Sequence, residues 1–267
     1  MVSIDLCRRF WKFIIAAILL IAALFTSATL CIPEPAKDEI LVSAAVSLKN
    51  AFEEIGPMYE KRTGAKVRFN LGASGLLQRQ IETGAPVDVF ASAGEKQMDA
   101  LQSRGLILAD TRRVFARNAL VLVVAPQSKL SIRSFADLGR REVTRIALGN
   151  PKTVPAGQYA REALTNLKLW DKLQPRFVLA ENVRQVLDYV VRGETDAGIV
   201  YASDVSAARG QAAIAAYAPK GSHSPIVYPI GIVKDTRQRS NAQRFIDLML
   251  SAEGQAVLKK YGFLGSK

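Results

Sequence analysis

The sequence predicts an α/β fold in two lobes, on the strength of three observations. Short β-type runs alternate with helical patterns between residues 40 and 201, the rhythm of a largely parallel sheet covered by helices. Four helical patterns open directly after such a run, at Ser47, Ser74, Ala156 and Val183. An apolar run at 118–125, closed by Pro126, divides a first set of strand–helix steps from a second and is expected to carry the chain into another lobe.

Residues 1–28 stand apart from this fold. A basic stretch from Cys7 to Lys12 precedes an apolar segment at 13–25 and small residues at 26–28, the pattern of a secretory signal peptide. An uncleaved anchor is the alternative, but the apolar segment is shorter than the ~20 residues a spanning helix needs. Cys31 invites a lipoprotein reading, against which Leu30 stands where a small residue is expected. Both cysteines lie before residue 32, so the folded part has no disulfide, zinc–thiolate site or thiol nucleophile. The expected location is the periplasm.

In chain order, 33–38 is a polar linker and 40–45 a strand. Ser47 then opens a helix at 48–55, which Gly56-Pro57 is expected to kink or split before 58–63, because proline lacks a donor and clashes with the preceding turn. A strand at 67–71 leads to Ser74, at a strand end and a helix start. The simplest role for Ser74 is a helix N-cap; the recurrence of the same construction suggests an anion site, since unpaired N–H groups and the positive dipole end gather there. That helix stops at Gly84. A strand at 87–90, a helix at 94–105 and the run at 118–125 follow. The second set comprises a helical turn at 134–138, a strand at 145–148, a helix from Ala156 entered through Pro155, a strand at 177–180, a helix after the N-cap Asn182, and a strand at 195–201 ending in Tyr201. The run at 226–233 is expected to return the chain to the first lobe, and helices at 240–250 and 252–261 close it. The expected division is 29–116 with 231–267 for the first lobe and 117–230 for the second.

The chemistry points to binding. The single histidine, His223, sits in a polar Gly/Ser/Pro loop, and Gly72-Ala-Ser-Gly-Leu76 lacks the second glycine of a nucleophile elbow. A serine hydrolase is therefore the weakest reading. P-loop and dinucleotide fingerprints are absent from the sequence, and no cofactor or catalytic residue is expected. The net charge of +12 falls by two, to +10, when residues 1–28 are removed with Arg8, Arg9, Lys12 and Asp5. The basic residues are scattered without interleaved aromatics, which argues against nucleic acid and leaves a solvated face with some steering of anions. A small-anion site needs only converging helix N-termini and hydroxyls; the four junctions and the Tyr201 phenol supply them, with Arg184 as free to face solvent as the cleft.

Ala44-Ala-Val-Ser-Leu-Lys-Asn-Ala51, Gly72-Ala-Ser-Gly75, Arg79 to Phe90, Gly149 to Ala160, Glu181-Asn-Val-Arg184, Gly198 to Asp204 and Tyr261-Gly-Phe263 together resemble the periplasmic molybdate-binding proteins of ABC importers, in order from about residue 40 to 263. The resemblance implies the periplasmic-binding-protein fold, two α/β lobes joined by crossover strands, closing on one tetrahedral oxyanion, molybdate or tungstate, so that any metal is held only as its oxyanion. It implies a membrane permease as partner and a monomer. By match, the ligand residues are Ser47, Ser74, Ala156, Val183 and Tyr201. Gly75, where family members often carry serine, and Val46, in place of a usual alanine, depart from the pattern. Some relatives add carboxylate ligands, which brings Glu181 and Asp204 into view. A receptor for another oxyanion such as sulfate is the alternative.

Overall fold

The computed structural model describes residues 38–266. The expected signal peptide, with Cys7 and Cys31, lies outside the described residues. Within them the chain builds two five-stranded sheets. The first takes β1 (Glu39–Ala45), β2 (Lys66–Gly72), β3 (Val89–Ala91), β4 (Arg113–Asn118) and β10 (Ile226–Ile232) in the order β2-β1-β3-β10-β4. The second takes β5 (Leu120–Val124), β6 (Ile146–Gly149), β7 (Phe177–Ala180), β8 (Ala197–Tyr201) and β9 (Ala213–Tyr217) in the order β7-β6-β8-β5-β9. In each sheet three neighbouring strands run parallel, and β10 or β5 runs against its neighbours. Parallel strands covered on both faces read as apolar runs; Ile40, Val42 and Ala44 in β1 and Ile146, Ala147 and Leu148 in β6 are fully buried.

The helices follow the strands. They are α1 (Lys49–Thr63), α2 (Ser74–Glu82), α3 (Glu95–Ser103), α4 (Pro155–Asn166), α5 (Trp170–Leu173), α6 (Val183–Val191), α7 (Ala202–Ala207), α8 (Arg239–Leu250) and α9 (Ala252–Lys260). On α6, Val183, Val186, Leu187 and Val190 are buried at helical spacing, which docks one face on the second sheet. On the first lobe Phe52, Tyr59, Phe69 and Phe245 pack ring to ring, with centroids 5.2 Å apart for Phe52–Phe69 and 5.5 Å for Tyr59–Phe245, tying α1, β2 and α8 together.

One expectation needs correction. Pro57 does not split its helix: α1 runs unbroken through it for 15 residues. Pro57 and Glu53, whose carbonyl the missing N–H would have met, are both exposed, so water replaces the lost bond, while Phe52, Ile55 and Tyr59 hold the helix on the sheet. The run at 118–125 holds the buried strand β5 and carries the chain into the second sheet as expected; β4, which ends at Asn118 in the first sheet, precedes it and is not expected from the sequence. Arg113 and Arg117 give β4 the look of a loop, yet Phe115 and Ala116 are fully buried. Helices α5 and α7 and strand β9 have no counterpart in the sequence pattern; α7 and β9 are short and half-exposed, with little apolar periodicity. The expected lobe boundary at 230/231 falls inside β10, which pairs along its length with β4 and β3 of the first sheet.

Candidate functional site

Four strand ends and the helix starts that follow them meet between the sheets. After β1 the chain makes a 3-10 turn at Val46–Leu48 that leads into α1, and Ser47 is its middle residue. After β2, Ser74 is the first residue of α2, with Ala73 at the N-cap position. After β6, the 150–154 loop leads into α4 through Pro155 at its first position, where a missing N–H costs nothing. After β7, the Asn182 side chain caps α6 by accepting from the Gln185 N–H at 3.0 Å. Gly157 shows how tightly α4 is seated: a Cβ there would lie 1.8 Å from the Gly149 carbonyl oxygen.

Ser47, Ser74, Ala156, Val183 and Tyr201 all line one small cavity of about 10 Å³, together with Ala45, Val46, Gly72, Ala73, Ala93, Val154 and Pro155. That is room for about one water-sized sphere, so a larger solute enters only when the lobes part. The five residues are between 0% and 4% exposed. No charged side chain lines the space, and its polarity comes from hydroxyls and from helix starts, whose free N–H groups favour an anion.

The hydroxyls are committed in a particular sense. Ser74 Oγ accepts from the Ala93 N–H at 3.1 Å, not from its own helix, so it does not act as an N-cap and its own proton is left for another acceptor. Ser47 Oγ lies 3.1 Å from the Tyr228 hydroxyl, which accepts from Asn118 Nδ2 at 3.2 Å. The Ser47–Tyr228 bond carries one proton, which either hydroxyl can supply. Burial holds the Tyr228 and Tyr201 phenols well above their ordinary range, so both remain protonated. Tyr201 donates to the Ala93 carbonyl at 3.0 Å; a ligand must compete for that proton. The peptide of Ala93 therefore joins Ser74 and Tyr201. Sequence reasoning misses Ala93, Tyr228 and Asn118, since nothing in their spacing marks them. Phe263 of the terminal Tyr-Gly-Phe motif packs its ring edge-on against Tyr228, 5.3 Å between centroids.

The charged candidates sit elsewhere. Arg184 does not face solvent: its Nε lies 2.9 Å from Oδ1 of the fully buried Asp204. Burial pushes the Asp204 carboxyl up to about 6, against the opposing pull of Arg184 and of the Tyr201 N–H. Asp204 and Glu181 do not line the cavity; Glu181 is exposed. His223 packs against the Tyr159 ring at 5.9 Å and contacts the Ser224 carbonyl, whereas the partner of Ser74 Oγ is a backbone amide. Among the described residues, no group of three or more His, Cys, Asp or Glu is placed to hold a metal ion, and no helix is long and apolar enough to cross a membrane.

Two α/β lobes with a small, buried, uncharged cavity between their helix starts define a solute-binding protein of the cleft-closing kind. The family of bacterial extracellular solute-binding proteins matches residues 40–264, and the chain belongs to it. It is 42% identical over 228 residues to the Bacillus subtilis lipoprotein YvgL, assigned to ABC-transporter substrate binding, covering 85% of this chain and 86% of that one. It is 38% identical over 231 residues to the Escherichia coli molybdate-binding protein ModA, covering 84% and 88%. The solved periplasmic molybdate-binding protein of Azotobacter vinelandii superposes with a TM-score of 0.77 at 29% identity, covering 85% of this chain and all of that one.

Proposed function

We propose that this chain is exported by its N-terminal segment, captures molybdate or tungstate as the intact tetrahedral dianion, and delivers it as a monomer to the membrane permease of an ABC importer. It does so without catalysis and without a cofactor. The proposed ligands are the hydroxyls and N–H groups of Ser47 and Ser74, the N–H groups of Ala156 and Val183, and the Tyr201 hydroxyl. The observation that carries the reading is the convergence of these five residues, each expected from the sequence alone, on one buried cavity in which the Ser74 hydroxyl accepts from a backbone amide and keeps its proton to give. Relatives named as molybdate-binding proteins over most of the chain support the choice of ion. Sheet membership favours lobe boundaries at Ala119 and within 218–225, a few residues from those expected.

A dianion is stabilised here by fixed dipoles. The donors are already oriented by packed helix starts, so the protein reorganises little on binding, and a neutral shell avoids burying a further charge. Thermal unfolding with a panel of oxyanions tests the reading. A ligand at 100 times its Kd adds about 2.7 kcal/mol, worth roughly 2–4 °C per kcal/mol for a chain of this size. Molybdate and tungstate should give that shift, and chloride and sulfate at equal concentration should not. No shift with any tetrahedral oxyanion sinks the site assignment; an equal shift with sulfate makes it a general oxyanion site.

A further inference from the structure

Arg184 is the second residue of α6, at the helix end where a cation is disfavoured by the dipole. Its surroundings show what holds it there. Nε reaches Asp204 Oδ1 at 2.9 Å, while Nη2 donates to the Ser47 carbonyl, at 3.2 Å, in the first lobe. The other carboxylate oxygen of Asp204 accepts the Tyr201 N–H at 3.1 Å. One guanidinium thus links three of the five proposed ligand residues: Val183 as its chain neighbour, Tyr201 through Asp204, and Ser47 directly. The bond to Ser47 joins the lobes, so it exists only when they are together.

We infer that Arg184 is a positioning residue that latches the closed cleft, holding the Ser47 turn against the second lobe through the Ser47 carbonyl without touching the bound anion. The inference rests on the oxyanion reading above. The guanidinium is broad enough to set Nε against the carboxylate and Nη2 on the carbonyl at once, and the compact lysine ammonium does not span both. The latch acts on release: the bond to the Ser47 carbonyl must break before the anion leaves.

The test measures molybdate association and dissociation rates, with the ligand-free melting temperature and the radius of gyration, for wild type, Arg184→Lys and the double variant Arg184→Met/Asp204→Asn. The double variant removes the ion pair without leaving a buried charge unpaired. Both variants should release molybdate faster by roughly tenfold to a hundredfold, the equivalent of one hydrogen bond to a charged group. Association and its salt dependence should be unchanged. A slower, salt-sensitive association would mean that Arg184 attracts the anion itself, and overturns the latch. Unchanged release in both variants overturns it too, as does a release change in the double variant that merely follows a lower ligand-free melting temperature. If wild type binds no molybdate, the ligand reading fails; the latch is then judged on the ligand-free chain, where the double variant must have the larger radius of gyration, equal radii refuting it.

Discussion

The two lobes meet the cavity with different chemistry. At its two junctions the first lobe presents serines, Ser47 and Ser74, whose hydroxyls are tied to the Tyr228 hydroxyl and to the Ala93 N–H. At its two junctions the second lobe presents Ala156 and Val183, with only backbone N–H groups to offer; its one hydroxyl, on Tyr201, is engaged with the first lobe's Ala93 carbonyl. The proposed hydroxyl donors, Ser47, Ser74 and Tyr201, can be deleted by substitution. The amides of Ala156 and Val183 can only be displaced, because every substitution short of proline keeps the N–H. The second lobe compensates with rigidity, α4 being seated so closely that Gly157 has no room for a Cβ.

The most severe break should come from charge in the first lobe. Ser47→Asp sets a carboxylate in a cavity that excludes water, facing the dianion. Leaving a buried charge uncompensated costs about 3–5 kcal/mol, so calorimetry should register a loss of roughly a hundredfold to a few thousandfold in molybdate affinity. Retained affinity would remove Ser47 from the site.

Among the described residues lobe 2 alone carries a fully buried carboxylate, Asp204, and pH probes it. Asp204 has its pKa raised in the folded chain, to about 6 from an ordinary value of 3.8. The folded state therefore binds more protons than the unfolded chain between those values. The associated stability is present below about pH 4 and is lost as pH rises through 6, by about 2–3 kcal/mol at 1.36 kcal/mol per pKa unit. Urea midpoints of wild type relative to Asp204→Asn should fall from pH 4 to pH 7. A pH-independent difference would show that the ion pair with Arg184 keeps Asp204 charged throughout.

Ser74→Ala removes one hydroxyl donor to an ion and should cost about 1.5–3 kcal/mol of affinity, with stability little changed. Gly75 beside it offers a subtler probe. Its N–H donates to the Thr153 carbonyl of the other lobe at 2.9 Å, and an added Cβ would lie 2.6 Å from that same oxygen. Gly75→Ala should therefore leave the ligand-free melting temperature intact or raised, alanine being the better helix former, while the ligand-bound radius of gyration grows. An unchanged bound radius would mean that the 150–154 loop yields instead.

The smallest effect separates the lobes most sharply. Val183→Ala keeps the N–H and trims a buried side chain, so stability falls by about 1–2 kcal/mol while molybdate affinity moves by less than roughly threefold. A large affinity loss would show that side-chain packing in lobe 2 positions the amide, and the contrast between the lobes would dissolve.

Local sequence determined most of the strands, the helix starts and five of the residues that line the cavity. Each depends on short-range rules: apolar runs for β1 and β6, Asn182 as the cap of α6, Pro155 at the first position of α4, and an α6 face repeating at helical spacing. Tertiary structure decided what those rules cannot reach. That α1 survives Pro57 depends on Glu53 facing water while Phe52 and Tyr59 are packed against Phe245. That β4 is a strand depends on pairing with β10, more than 100 residues away. Whether Arg184 met solvent or Asp204, and whether Ser74 capped its own helix or bound Ala93, turned on groups some twenty residues apart that are brought close only when each lobe packs its own strands and helices. A hydroxyl or a guanidinium has several partners within reach of its chain neighbours, and only the fold selects among them.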